Sequence, residues 1–410
     1  MEIVYRCCCG IDVHKESVTA CVRWAGEGQP GQEQKRKFST FTRDLLTMAD
    51  WLRECGVTHV VMESTGVYWK PVWHILEGQF QLLLVNAQHV KAIPGRKTDR
   101  RDSAWLAQLL QHGLMRGSFI PPEPIRELRD LTRYRVTLAQ ECNRIANRIQ
   151  KVLEDANLKL ASVATDPLGA SGRAMLKAII AGESDATKLA EMARGKLRHK
   201  ISQLQLALEG KVTSHHRFLL GELMADLEFV ESRMTRIEAE ICRRLESSAD
   251  TVERLCTVPG IDRVSAWGII SEIGLDMSQF PDAQHLASWA GLCPGNWESA
   301  GKQKSGRTRK GSAWLRRHLC QSAWGVSTKQ NNYLSALFRR LAARRGVKRA
   351  TMAVAHALLV IAYQILKNRV EYRELGADYF DKLNPVRLTR RLVKRLEGLG
   401  FQVMLEARPA

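Results

Sequence analysis

A chain of 410 residues with a net charge of +19 and a pI near 9.7 predicts two or three domains and a polyanionic partner. The longest apolar runs, near Ala353–Ile365, are too short for a bilayer and contain His356, and no signal peptide is visible. A cytosolic chain with no membrane partner is therefore expected. Its ten cysteines do not read as a zinc site. Cys7, Cys8 and Cys9 are consecutive on an expected strand and alternate faces, and the other seven are scattered without a C-x-x-C. Buried reduced thiols are the better account.

Taken in order, hydrophobic patterning predicts strands over roughly 4–12, 16–24 and 35–40, a helix over 42–55, and a strand over 58–63. A helix over 67–78, a strand over 80–85 and a helix from about residue 100 follow. Three consecutive strands and then alternating helix and strand is the ribonuclease-H-like order. Four carboxylates punctuate it. Asp12 closes the first strand in C-G-I-D-V-H-K, and Glu63 ends the fourth in V-V-M-E-S-T-G. Asp99 and Asp102, in K-T-D-R-R-D-S, are three apart where a helix begins, so both project from one face. Such a cluster of hard oxygen donors suits Mg²⁺, and paired ions can clamp both oxygens of an in-line phosphoryl displacement.

A helical middle follows. Leu128, Leu131, Leu138, Cys142, Ile145, Ile149 and Val152 keep heptad spacing with Arg135 at one core position. Leu220, Leu223, Leu227, Val230, Met234, Ile237 and Ile241 alternate three and four apart, the seam of a coiled coil. The seam is compatible with a hairpin inside one chain or with pairing between chains. Ala161–Gly172, with Pro167, Gly169 and Gly172, is the expected break between the two stretches.

The region from Leu255 opens L-C-T-V-P-G-I-D-R-V-S, a helix, a Pro-Gly turn and a second helix that resembles a helix-hairpin-helix, whose turn amides can bind phosphate. Beyond it, Gly295, Gly301, Gly306 and Gly311 mark a loop that presents Ser299 and Ser305 among cations. A serine so placed has its alkoxide, and any phosphate it attacks, stabilised electrostatically. Between Gly301 and Ala350 there are fourteen Lys or Arg residues and no acid. A solvated face normally mixes signs, so nucleic-acid contact is the expectation. Trp314, Trp324 and Tyr333 are interleaved, placed either to stack on bases or to pack in the core.

The segments G-I-D-V-H-K, M-E-S-T-G-V-Y-W, K-T-D-R-R-D-S, V-P-G-I and E-S-A-G-K-Q-K-S-G-R-T-R-K-G-S-A-W-L-R-R resemble, over roughly residues 7–375, the DEDD transposases of the insertion-sequence-110 family. These are serine-using recombinases guided by a bridge RNA. The resemblance implies a RuvC-like domain over 1–123, a coiled coil over 124–250, a C-terminal transposase domain over 251–375 and a tail over 376–410. It implies Asp12, Glu63, Asp99 and Asp102 as catalytic Mg²⁺ ligands and Ser299 as the nucleophile of a covalent phosphoserine intermediate. It also implies donor and target double-stranded DNA, a guide RNA and further copies of the chain, as dimer or tetramer, for partners. Lys302, Lys304, Arg307, Arg309, Lys310, Arg316 and Arg317 flank that serine and are the expected nucleic-acid contacts. Localisation is expected to be cytoplasmic, at the nucleoid when DNA is bound. Two other readings stand beside this one: a metal-dependent nuclease in which water attacks and Ser299 is incidental, and a non-catalytic nucleic-acid-binding protein.

Overall fold

A computed structural model describes residues 2–24, 32–64, 66–86, 102–115, 117–294, 297–299, 302–305, 308 and 310–406, with backbone alone for 297–299 and 302–305. The chain divides into two compact units, Met1–Ile120 and Pro121–Ala410.

The first unit is built on a mixed sheet. Its strands are β1 (Cys7–Val13), β2 (Ser17–Trp24), β3 (Gln32–Ser39), β4 (His59–Glu63) and β5 (Gln81–Val85), in spatial order β3-β2-β1-β4-β5. β1, β2 and β3 form an antiparallel meander, while β4 and β5 add in parallel to β1. Helices α1 (Thr42–Glu54) and α2 (Trp69–Leu76) provide the crossovers, and α3 (Asp102–Gln111) closes the other face. Every expected strand and helix of this half is present, with ends shifted by at most about three residues. β1 is a continuous apolar run because it lies between helices on both faces. β3, Q-E-Q-K-R-K-F-S, is mostly exposed; its charges suit an edge strand that must not pair further.

The two faces separate by residue parity. Cys9, Ile11, Val13, Val60, Met62 and Leu84 pack with Leu45, Met48 and Leu52 of α1 and Val72 and Leu76 of α2. Cys8, Val61 and Val85 pack with Leu106, Leu109 and Leu110 of α3. Cys8 and Cys9 thus enter opposite cores, as strand alternation requires. Gly10 is where α3 touches the sheet: a Cβ there would stand 2.2 Å from the Ser103 carbonyl oxygen and 2.4 Å from the Ala107 nitrogen.

The second unit is mostly helical. Its frame is the pair α4 (Glu123–Asp155) and α9 (Ser214–Arg244), 33 and 31 residues long. They run antiparallel within the chain. Arg244 reaches Glu127 at 2.5 Å at one end, and Arg135 Nε donates to Glu238 at 2.7 Å further along. At the far end the His216 ring meets Asp155 at 2.9 Å. The polar Arg135 at a seam position is therefore matched by an acid on the opposing helix. Leu220, Leu227, Val230 and Ile241 of the predicted seam are buried; Leu223, Met234 and Ile237 are half-buried.

The break between the two long helices is wider than the Ala161–Gly172 expectation. It holds α5 (Leu160–Val163), α6 (Ala170–Ile180), α7 (Ala186–Glu191) and α8 (Ile201–Leu208). Their Leu160, Met175, Leu176, Ile179, Leu189 and Leu204 share one core with α4 and α9. Four short helices lack the long periodic signal by which the flanking ones are legible.

Beyond α9 come α10 (Ala249–Cys256), α11 (Arg263–Ile273), α12 (Ala283–Trp289), a hairpin of β6 (Trp297–Ser299) and β7 (Lys302–Ser305), and α13 (Ala313–Ser327). Next are α14 (Tyr333–Arg345), α15 (Val347–Asn368), α16 (Tyr379–Lys382) and α17 (Pro385–Glu397). α15 corrects one expectation. Its 22 residues have the length and apolar composition to cross a membrane, which the shorter run read from sequence did not reveal. Yet Ala350, Val354, Leu358, Leu359, Ala362 and Tyr363 are buried inside the unit, and the Tyr363 hydroxyl donates to the Phe280 carbonyl at 3.1 Å. It is a core helix of this unit.

Candidate active site

Three of the four predicted acids lie on described backbone, and strand parity decides where they face. Asp12 follows Cys8 and Gly10 at two-residue steps on β1, so it projects toward the α3 side. Glu63 follows Val61 on β4 and projects to the same side. β1 and β4 pair in parallel with Ile11 opposite Met62, so Asp12 and Glu63 stand one rung further on, side by side. Asp102 opens α3, one residue before the Ser103 that lies over Gly10. An acid in a first helical turn is favoured by the exposed amides and the dipole there. The missing Cβ of Gly10 therefore lets the helix bearing Asp102 settle onto the strand bearing Asp12. Asp99 lies outside the described residues.

Asp12 is about one-fifth exposed, and its Oδ2 lies 3.1 Å from Nε2 of the exposed His14. Sequence reasoning did not single out His14, although the D-V-H spacing brings it back beside the acid past the strand end. Among the described residues no group of three His, Cys, Asp or Glu side chains closes around a single point as a metal cage would. By chemistry the donor set is all carboxylate oxygen, which fits a hard divalent cation.

The predicted nucleophile sits in the second unit. Ser299 ends β6, which pairs with β7 through Trp297 opposite Ser305, Glu298 opposite Gln303 and Ser299 opposite Lys302. A bridge between Pro294 and Thr308 continues the hairpin toward its stem. Ser299 is thus at the end of β6 next to the connection between the two strands, and Ser305, the other serine of the loop, is at the opposite end of the β6–β7 pairing.

The expected cationic contacts divide. Lys302 and Lys304 lie on β7, Lys310 is exposed, and Arg307 and Arg309 fall outside the described residues. Arg316 and Arg317 have work inside the unit. Arg316 donates to the Gly291 carbonyl at 2.8 Å, and the Arg317 guanidinium lies 2.5 and 2.7 Å from the Gln140 amide oxygen once that amide is turned to face it with its oxygen. Among the interleaved aromatics, Trp314 packs under Arg133 at 5.4 Å and Tyr333 stacks on Phe380 at 5.3 Å. Trp324 remains 54% exposed. The Pro-Gly turn after α10 is packed rather than open: at Gly260, φ is +92°, and a Cβ would stand 2.6 Å from the Ser322 carbonyl oxygen of α13.

Sequence reasoning missed Glu272. It is the one acid in V-S-A-W-G-I-I-S-E-I, and an acid within so apolar a helix was the available signal. Its carboxylate accepts from Arg133 at 2.8 and 3.0 Å and from the Ser312 hydroxyl at 3.0 Å.

A sheet presenting acids beside a helix, with a basic helical unit carrying a serine hairpin, has the make-up of an enzyme that acts on nucleic acid. Comparison with known proteins narrows this. The family model of DEDD transposases of the IS110 group matches residues 9–158, and that of the transposase IS116/IS110/IS902 family matches residues 252–339. Together they cover more than half of the chain. A transposase for insertion sequence element IS1111A from Coxiella burnetii is 23% identical over 304 residues, 71% of this chain and 72% of that protein. The 43.6 kDa protein of insertion element IS110 from Streptomyces coelicolor is 24% identical over 68% of this chain and 73% of its own length. A putative transposase of Sinorhizobium fredii is 28% identical over a shorter stretch, 32% of this chain and 35% of that protein. The chain belongs to the IS110 family of transposases, enzymes that act on DNA.

Proposed function

We propose that this transposase cuts and exchanges DNA strands through a covalent phosphoserine link on Ser299. The observation that carries the reading is the parallel pairing of β1 with β4 up to Ile11 opposite Met62, which leaves Asp12 and Glu63 next along the two strands on the side of the helix that Asp102 opens. The strand order β3-β2-β1-β4-β5 supports a RuvC-like assignment of this unit. Asp12, Glu63, Asp99 and Asp102 are the residues that would hold Mg²⁺, which, when bound, neutralises charge on a phosphate and polarises it toward attack. Ser299 Oγ gives up its proton and forms an ester bond to phosphorus. One bridging P–O bond breaks, and the departing strand oxygen takes a proton. A hydroxyl from another strand then displaces the serine, so the phosphodiester is conserved without external energy.

Lys302, Lys304, Arg307, Arg309 and Lys310 flank the serine and are assigned to phosphate contact. Arg316 and Arg317 keep a smaller share, because both already hold intramolecular partners. Guidance by a structured bridge RNA and assembly as a dimer or tetramer complete the proposal, on the strength of the family. We also keep the helical middle, 124–250, as a coiled coil whose first partner is in its own chain.

The test is denaturing electrophoresis of labelled DNA with wild type, Ser299→Ala and Ser305→Ala. Ser299→Ala should still bind DNA but lose both cleavage and adduct, while Ser305→Ala keeps at least part of each. Free cleaved ends without adduct from wild type and Ser299→Ala alike would establish water as the nucleophile, the reading of a metal-dependent nuclease.

A further inference from the structure

The serine hairpin is rooted by an unusual group. Glu272 is 2% exposed, on a helix whose neighbouring residues are apolar or small. Arg133 of α4 meets its carboxylate with two parallel N–H bonds, 2.8 and 3.0 Å. Arg129, one turn earlier on α4, donates to the backbone carbonyls of Ser271 at 3.0 Å and Glu272 at 2.7 Å. Arg129 Nε also stands 3.8 Å from Glu272 Oε2, and the Ser312 hydroxyl gives its single proton to that oxygen at 3.0 Å. Ser312 Oγ in turn accepts the Leu315 amide at 3.2 Å, so Ser312 also caps α13.

Ser312 is the outgoing root of the loop that bears Ser299. The incoming root is held against it. A Cβ on Gly311 would fall 2.3 Å from the Ala290 carbonyl carbon, so the two stems touch backbone to backbone. Arg316, one turn into α13, closes on the Gly291 carbonyl. Both stems are therefore registered to α13, and α13 is registered through Ser312 and Glu272 to α4.

Burial of a charged pair seldom adds stability over apolar packing of the same volume, whereas it does impose one orientation. A bidentate arginine fork leaves the carboxylate a single arrangement, with one lone-pair direction aimed at Ser312. We propose that Glu272 is a positioning residue of the serine hairpin: it ties the root of the hairpin to Arg133 of the long helix and so sets where Ser299 stands, without itself touching DNA. The proposal rests on the reading of Ser299 as nucleophile.

It is tested in the full-length chain on a labelled DNA that wild type cleaves, by the single-turnover rate of adduct formation at saturating DNA, the Kd for that DNA and the melting temperature. Ser312→Ala keeps the Glu272–Arg133 pair and removes the tie. It should slow adduct formation by roughly 10–100-fold with Kd within about twofold, as loss of an outer orienting partner does. Ser312→Thr, which keeps the hydroxyl, should restore the rate. Ser312→Asp still caps α13 but has no proton for Glu272, and should be as slow as Ser312→Ala. An unaltered adduct rate in Ser312→Ala or Ser312→Asp, with Ser299→Ala inactive beside it, overturns the positioning role alone. An adduct that survives Ser299→Ala overturns the nucleophile reading instead.

Discussion

The two units hold their candidate reactive groups by different physics. In the first, Asp12 and Glu63 are set by the hydrogen-bond register of two parallel strands, and every ladder bond contributes to their placement. In the second, Ser299 is on a two-stranded hairpin, which alone is marginal in water, and the segments flanking it are held by a few side chains such as Ser312 and Arg316. A group held by a sheet should tolerate loss of any one side-chain contact. A group held by a stem should not.

The largest effects should come from breaking the sheet-held site at its one tight point. Gly10→Ala drives a methyl into the backbone of α3 and should cost about 3 kcal/mol or more, lowering the melting temperature of the first unit. It should abolish strand cleavage as well, because α3 carries Asp102. Asp12→Ala sharpens the contrast. It should remove cleavage, by more than the roughly 10–100-fold that outer-shell partners command, while the fold stays intact, since packing on that face comes from Cys8, Val61 and the leucines of α3. Circular dichroism melts beside a cleavage assay in Mg²⁺ read both. Wild-type cleavage by Asp12→Ala would remove the acids from the mechanism.

A charge placed in the helical frame comes next. Leu227 is 2% exposed in the core shared by α4 and α9, and Leu227→Asp buries a charge among apolar groups. About 4 kcal/mol of destabilisation is expected. Because the two helices pair inside one chain, the loss should appear as a lower melting temperature and survive dilution. A mass in sedimentation that drops with the melting point unchanged would mean the seam serves contacts between chains instead.

The smallest effect is a pH dependence in the second unit. His318 is buried with its ring 2.5 Å from where a Cβ on Gly268 would be, and burial lowers its pKa below the ordinary imidazole value. The unfolded chain therefore binds a proton more readily than the folded one. Stability is fully present above the unfolded value near 6.5 and falls as pH drops below it, by at most about 1.4 kcal/mol per pH unit from this group. The melting temperature of His318→Gln should vary less with pH between roughly 7 and 5 than that of wild type. Equal slopes would assign the dependence to other groups.

Much of this architecture was legible before any coordinates. The strands and helices of the first half, the two long helices and the acids at strand ends all follow from periods of two and of three to four residues, which are local properties of the chain. Asp12 and Glu63 could be picked out because each closes an apolar run. What local pattern does not carry is which of several compatible contacts a segment finally makes. The seam of α9 fits a partner helix from either source, and only the tertiary structure joins it to α4 through Arg135–Glu238 and His216–Asp155. Arg316 and Arg317 look like surface cations in an acid-free run, yet each finds a carbonyl or amide oxygen inside the unit, the first of them 25 residues back along the chain. Glu272 shows the limit most clearly. Its partners Arg133 and Ser312 are 139 and 40 residues away, and no periodicity links positions whose contact depends on how three helices cross. Sequence determined the elements and the residues that carry charge; the fold decided which charges face solvent and which are spent on holding a serine hairpin at its root.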